Sequence, residues 1–234
     1  MHAPTHHRTA PVEAVVFDFD GVLADTEHLH YRAFCLVAEP DRLACSWDTY
    51  VRDYIGFDDR DLFRTAYAAA GQRLSPTDLQ VKIDAKASAF LDLIRKSVPT
   101  YPGMPEIVQS LHERYPLAIC SGALKSDIQP ILAYFGLTRF FPVCITAEDV
   151  PASKPDPAGY RLAAERLAGE VNRPITPAVC VAIEDTPTGL RAARGAGMQA
   201  WAVTHTHPEP LLAGEADRVF SSLSDLAAAL LQES

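Results

Sequence analysis

Six short apolar runs separated by helix-like segments constrain this 234-residue chain more than any other feature. They read AVVFDF (14–19), LAIC (117–120), PVCITA (142–147), AVCVAIED (178–185), QAWAVT (199–204) and DRVF (217–220). Each is continuous rather than alternating, as expected of strands covered on both faces in a parallel sheet. Helical segments are expected between them, at roughly 104–113, 125–135, 157–168, 188–196 and 224–232. Regular strand–helix alternation predicts an α/β fold with a doubly wound parallel sheet.

One segment departs from the alternation. Between about residues 28 and 97 no buried strand is legible, and stretches 28–39 and 60–70 read as helices. Ser75-Pro76-Thr77-Asp78 resembles a capping box with proline in the first turn. After it, Leu79, Ile83, Ala87, Phe90 and Ile94 recur at steps of three and four, the spacing of one helix face. The expected organisation is a catalytic core over 12–26 and 98–234, an α-helical cap domain inserted at 27–97, and a disordered tail at 1–11. Helices packed permanently on the core are the alternative to a cap over a site.

Composition excludes several roles. No stretch approaches the roughly 18–20 apolar residues of a membrane span, and MHAPTHHRTAP lacks the apolar segment of a signal peptide. The cysteines Cys35, Cys45, Cys120, Cys144 and Cys180 form no CxxC pair, which predicts buried free thiols in a cytoplasmic protein. A net charge of −9 and the lack of Lys/Arg clusters argue against nucleic acid. The expected partner is a small molecule, and the expected state a monomer or weak dimer.

Ligands of open α/β sheets bind beyond the carboxyl ends of the strands. Asp18 and Asp20 follow the first run, and Ser121 and Gly122 the second. Lys154 lies in the loop after the third run, and the fourth ends in Glu184-Asp185. Carboxylates this close repel one another unless a cation sits among them. Such a set fits a hard divalent cation plus a phosphate, and Mg²⁺ is commonly held by carboxylates, waters and substrate phosphate oxygens.

The set resembles the haloacid dehalogenase-like superfamily of aspartyl-nucleophile phosphotransferases, in the branch with a helical cap after the first motif. DFDGVLADTE, CSGA, SKPDP and IEDTPTGLRAARGAGM match its four motifs in order, over nearly all of the chain beyond residue 11. The resemblance implies a Rossmann-like core and a Mg²⁺ cofactor. In it Asp18 is the nucleophile that forms an aspartyl-phosphate, and Asp20 the acid, then base, that must carry a proton Asp18 lacks. Asp18, the backbone carbonyl of Asp20 and Asp185 hold the metal, with Glu184 a ligand through water or an orienting neighbour. Ser121 and the Gly122 N–H donate to phosphate at a helix N-terminus, and Lys154 neutralises phosphate charge. His30 and Lys86 occupy positions where cap-bearing relatives place substrate-facing groups. Arg60 in the cap loop and Lys125 at the site entrance are weaker candidates of the same kind. Thr26 and Glu27 read as hinge and N-cap elements, and His205 and His207 as loop residues.

Within the superfamily, Asp20 and Glu184-Asp185 count against dehalogenation, and the aspartate at position 20 against phosphonate hydrolysis. The mutase branch typically carries Lys-Gly-x-x-Arg in the cap loop and Ser-Ala-Ser-Lys in the second motif. Here Ile55 precedes the glycine, Asp59 stands where the arginine would fall, and the second motif reads SGALKSD. The expectation is therefore a phosphatase of small phosphorylated metabolites, sugar phosphates or phosphoglycolate-like esters. A β-phosphoglucomutase-like enzyme, kept open by Arg60, and a non-catalytic phosphate-binding or signalling protein are the alternatives. The Asp58-Asp59 pair is expected to disfavour extended, highly anionic substrates.

Overall fold

The computed structural model describes residues 11–96 and 98–232. All but the last residue of the tail expected at 1–11 lies outside them.

The chain runs β1 (Ala14–Phe17), then four helices, α1 (Glu27–Ala38), α2 (Trp47–Asp53), α3 (Asp59–Ala69) and α4 (Pro76–Ile94). It continues through α5 (Met104–His112), β2 (Leu117–Cys120), α6 (Lys125–Tyr134), β3 (Val143–Ile145) and α7 (Ala158–Glu170). Then come β4 (Cys180–Glu184), α8 (Pro187–Ala196), β5 (Gln199–Val203), α9 (Glu209–Leu212), β6 (Arg218–Phe220) and α10 (Leu223–Gln232). The six strands form one parallel sheet in the order β3-β2-β1-β4-β5-β6. The strand order reverses between β1 and β4, so their carboxyl ends flank the crevice where such sheets bind ligands.

Both sheet faces are covered, which explains the unbroken apolar runs. Val15, Phe17, Ile119, Ile183 and Trp201 pack with α5, α6 and α10 on one face. Val16, Ala118, Ala182, Ala200 and Ala202 pack with α7 and α8 on the other. Small residues dominate that second face, so its helices approach the sheet closely. Each large side chain fully buried this way contributes about 1.5–3 kcal/mol relative to exposure.

The helical insertion has a separate apolar cluster around Phe34, Tyr50, Leu62, Phe63, Tyr67 and Ile83. Its helices begin as local chemistry dictates. Ser75 Oγ accepts from Asp78 N at 3.1 Å with Pro76 behind it, and Asp58 Oδ1 accepts from Asp61 N at 2.9 Å. α2 was not legible in the sequence, although Ser46 caps it by accepting from Thr49 N at 3.1 Å. The cysteines are all free, but only Cys120 and Cys180 are buried; Cys35, Cys45 and Cys144 are half-buried. Among the described residues no helix is long and apolar enough to cross a membrane.

Candidate active site

The carboxyl ends of β1 and β4 bring Asp18, Glu184 and Asp185 together, with one oxygen of each within 4.8 Å of the others. All three are buried. Two glycines permit this crowding. Gly21, at φ +76°, turns the backbone so close to Asp185 that a Cβ there would lie 1.8 Å from Oδ2. A Cβ on Gly189 would lie 1.9 Å from Glu184 Oε1. Gly189 sits in the first turn of α8, which Thr186 caps by accepting from Gly189 N at 3.0 Å.

The carboxylates differ in how they are satisfied. Glu184 Oε1 accepts from Lys154 Nζ and Tyr160 Oη, each at 2.6 Å, and Oε2 accepts from the Thr186 hydroxyl at 3.2 Å. Lys154 also lies 2.9 Å from Asp18 Oδ1. Both oxygens of Asp185 are buried without a hydrogen-bond partner among the described residues, although the Thr206 hydroxyl lies near enough to favour the charged carboxyl slightly. Orphaned buried carboxylate oxygens are costly unless something fills the space beside them. Burial, then the charges of its neighbours, holds Asp185 well above the usual carboxylate range. Asp18 is raised too, by burial and Glu184, with Lys154 pulling the other way. For Lys154 burial disfavours the charge, but Asp18 and Glu184 overcome it and raise the ammonium further. An all-oxygen donor set short of positive charge fits a hard divalent cation such as Mg²⁺. Asp18 and Asp185 would be the best-placed residues to hold one, and Glu184, already hydrogen-bonded throughout, is better placed to orient Lys154.

Asp20 points away from this cluster. The Thr26 hydroxyl donates to its Oδ1, and His30 Nε2 lies 3.2 Å from the same oxygen. Lys86 Nζ lies 3.1 Å from His30 Nδ1, so Lys86 donates there and Nε2–H faces Asp20. Burial would raise Asp20, but His30, Thr26 and Lys86 together lower it. The imidazole is raised by Asp20 against burial and Lys86. Among the protein's own groups alone, burial and Glu184 thus raise Asp18 while His30, Thr26 and Lys86 lower Asp20.

These groups line a cleft of about 530 Å³, its open mouth included, between the sheet edge and the insertion. Of the expected site residues, Asp18, Asp20, Ser121, Gly122, Lys154, His30 and Lys86 line it. Glu184 and Asp185 lie beneath, within the carboxylate cluster. Arg60 and Lys125 are not brought in. Arg60 Nε and Nη2 reach Asp58 Oδ2 at 2.9 and 2.6 Å, and Nη2 reaches the Val150 carbonyl at 3.3 Å, tying the insertion to the core instead. Lys125 is exposed at the start of α6. Ser121 does not stand at a helix N-terminus, because α6 begins four residues later with Leu124 at its N-cap; Ser121 Oγ instead accepts from Ala123 N at 3.0 Å. Thr26 occupies the N-cap position of α1 but makes no capping bond, since its hydroxyl serves Asp20.

Tyr50, which sequence reasoning passed over, also lines the cleft, as do Asp59 and Glu27, the latter expected only as a hinge or N-cap element. Glu27 lies one helical turn from His30, a spacing that places both on one face and was the available signal. His205 and His207, expected as plain loop residues, hold the loops carrying the carboxylates. His205 Nδ1 lies 2.8 Å from the Gly21 carbonyl oxygen, and His207 Nδ1 lies 3.3 Å from that of Asp185.

The haloacid dehalogenase-like hydrolase profile matches residues 15–203. Fructose-1-phosphate phosphatase YqaB of Escherichia coli is 29% identical over 186 residues, 80% of this chain and 93% of its own. The structure of CbbY from Rhodobacter sphaeroides in complex with phosphate superposes with a TM-score of 0.78 at 26% identity, covering 92% of this chain and 96% of that one. A β-phosphoglucomutase from Clostridium difficile shares the fold, with a TM-score of 0.83 at 22% identity over 95% and 96% of the two chains. With four motifs at four strand ends, one carboxylate cluster and these similarities, the chain belongs to the haloacid dehalogenase-like hydrolase family.

Proposed function

We propose that the chain is a Mg²⁺-dependent phosphatase of small phosphorylated metabolites, sugar phosphates or phosphoglycolate-like esters, working through an aspartyl-phosphate on Asp18. The observation that carries this reading is the buried cluster of Asp18, Glu184 and Asp185, whose charge Lys154 alone cannot balance and in which neither Asp185 oxygen has a hydrogen-bond partner of good geometry among the described residues. When bound among Asp18 and Asp185, Mg²⁺ would offset the charge of the phosphoryl group and hold the carboxylates ionised.

Lys154, in contact with Asp18, helps keep the nucleophile anionic and directs positive charge toward the phosphoryl oxygens. Asp18 attacks phosphorus; a carboxylate O–P bond forms as the bond to the leaving alcohol breaks. Ser121 Oγ already accepts from Ala123 N, which leaves the hydroxyl hydrogen to donate to a phosphoryl oxygen. The negative charge of an arriving phosphate raises Asp20 from its depressed state, so that it can deliver a proton to the leaving oxygen. The resulting carboxylate then takes a proton from the water that hydrolyses the aspartyl-phosphate, with His30 and Thr26 holding it in place. In this reading residues 27–97 act as a cap that excludes water from the first step and opens to exchange substrate and product. Phosphate transfer back to the same sugar, as in a mutase, is less well supported, because the cap arginine Arg60 is engaged by Asp58 and Val150 away from the cleft.

Phosphate release from sugar phosphates and phosphoglycolate, measured with Mg²⁺ and with chelator, tests the reading. Release is expected with Mg²⁺ alone, and Asp18→Asn is expected to lower kcat by about a thousandfold or more. Release that survives Asp18→Asn would sink the aspartyl-phosphate, and conversion of β-glucose 1-phosphate to glucose 6-phosphate without release would replace phosphatase by mutase.

A further inference from the structure

We propose that the half of the cleft walled by the helical insertion selects a neutral, hydroxyl-bearing group and rejects a second anion, so that the chain prefers phosphate monoesters of sugars and polyols to those bearing another phosphate or a carboxylate. The proposal rests on the phosphatase reading for its reaction, but on separate residues for its selectivity. Those residues are Lys86 and the acids around it.

An anion in that half of the cleft would need an uncommitted cation. Lys86 is buried and forms a salt bridge with Asp59 while donating to His30 Nδ1. Asp127, on α6, and Asp20 add negative charge around the same ammonium. His30 faces Asp20, and Arg60 is held by Asp58 and the Val150 carbonyl outside the cleft. Among the described residues lining the cleft, no positive charge therefore remains uncommitted for a distal anion. The same wall is rich in acceptors for hydroxyl groups: the carboxyls of Glu27 and Asp59 and the Tyr50 hydroxyl. Burial and the charge of Asp20 push the Glu27 carboxyl up to about 7, so further negative charge is already disfavoured there. Asp58 and Asp59, which the sequence reading expects to disfavour extended, highly anionic substrates, are each paired to a cation. Their effect on substrate comes from removing cations, not from adding net charge.

Glycerol 3-phosphate and 3-phosphoglycerate form a size-matched pair, ending in a hydroxymethyl group and a carboxylate respectively. Their dissociation constants would be measured by calorimetry on the full chain carrying Asp18→Asn, with Mg²⁺ present, so that no turnover intervenes. Glycerol 3-phosphate is expected to bind at least about tenfold tighter. Adding Asp59→Asn keeps the volume and releases Lys86, and is expected to cut that ratio at least fivefold. Lys86→Gln leaves Asp59 unpaired and is expected to raise the ratio, which provides a second reading should Asp59→Asn fold poorly. Equal affinities, a ratio that neither variant moves, or no binding of either compound would overturn the proposal. Because the readout is binding, a lack of phosphate release in the turnover assay would sink the phosphatase reading and leave this ratio standing.

Discussion

The two lysines that serve the cleft have opposite surroundings. At the sheet edge Lys154 contacts both Asp18 and Glu184, with Asp185 beside them, so negative charge exceeds positive. On the insertion Lys86 pairs with Asp59, Arg60 with Asp58, and Lys82 with Asp41 at 2.5 Å. The core half is left short of positive charge, which is what a cation site requires. In the insertion half each of these cations is paired, which under the proposed selectivity leaves hydrogen bonding rather than charge to recognise what lies above the phosphate. One cleft thus has a charge deficit on its sheet side and paired charges on its insertion side.

The largest expected effect tests the charge deficit. Lys154→Met leaves Asp18 and Glu184 without the only cation that contacts them among the described residues, its side chain being 10% exposed. Breaking a buried ion pair this way costs about 3–5 kcal/mol. Thermal unfolding without Mg²⁺ should show the loss, added Mg²⁺ should recover part of it, and phosphate release should fall at least about a hundredfold. If Lys86→Met destabilised the protein as much and Mg²⁺ rescued it equally, the contrast between the two halves would fail.

Gly21→Ala tests the proposed Mg²⁺ site. The positive φ and the 1.8 Å approach to Asp185 Oδ2 leave no room for a methyl group without moving the carboxylate. At Mg²⁺ concentrations near 100 times Kd the parent should gain about 2.7 kcal/mol of stability, and the variant should lose most of that gain. A full Mg²⁺-induced rise in Tm for the variant would show that Asp185 is not a ligand.

A smaller effect is expected from pH. Burial lowers the pKa of His205 and His207 below the ordinary 6.5, against their bonds to the Gly21 and Asp185 carbonyls. A depressed histidine favours the neutral folded form, so stability is full above pH 6.5. As pH falls further the unfolded chain protonates first, and stability declines until the folded pKa is passed. Asp18, Asp185 and Glu27, raised on folding, act with the opposite sign in parent and variant alike. The histidine contribution is therefore read as a difference: denaturant midpoints between about pH 7.5 and 5 should fall more, or rise less, for the parent than for His205→Asn with His207→Asn. An unchanged slope in the double variant would assign the decline to other groups.

Much of the core site was legible because its residues occupy strand ends. Continuous apolar runs mark strands wherever both sheet faces are covered, and the polar residue after each run must emerge at the same edge. Asp18, Ser121, Lys154 and Asp185 could thus be placed together without knowing the strand order. The insertion offered no such rule. A helix presents its side chains around a full circle, so Tyr50 carried no mark of which cleft it faces, and Glu27 only its spacing from His30. Arg60 was misplaced because the nearest acid captured it: Asp58, two residues away, holds it at 2.6 Å. Ser121 was expected at a helix start, but α6 begins only at Lys125, leaving a short turn that Ser121 stabilises itself.

By itself the sequence determined the parallel sheet, the helical insertion and the acids, hydroxyl and lysine at the sheet edge, because local periodicity and chain direction suffice for these. Tertiary structure alone decided the strand order, the orphaned oxygens of Asp185, the turning of Asp20 toward Thr26 and His30, and the pairing of Lys86 with Asp59. Each of these depends on distances between residues separated in the chain, which burial and charge fix only once the sheet, its covering helices and the insertion have packed together.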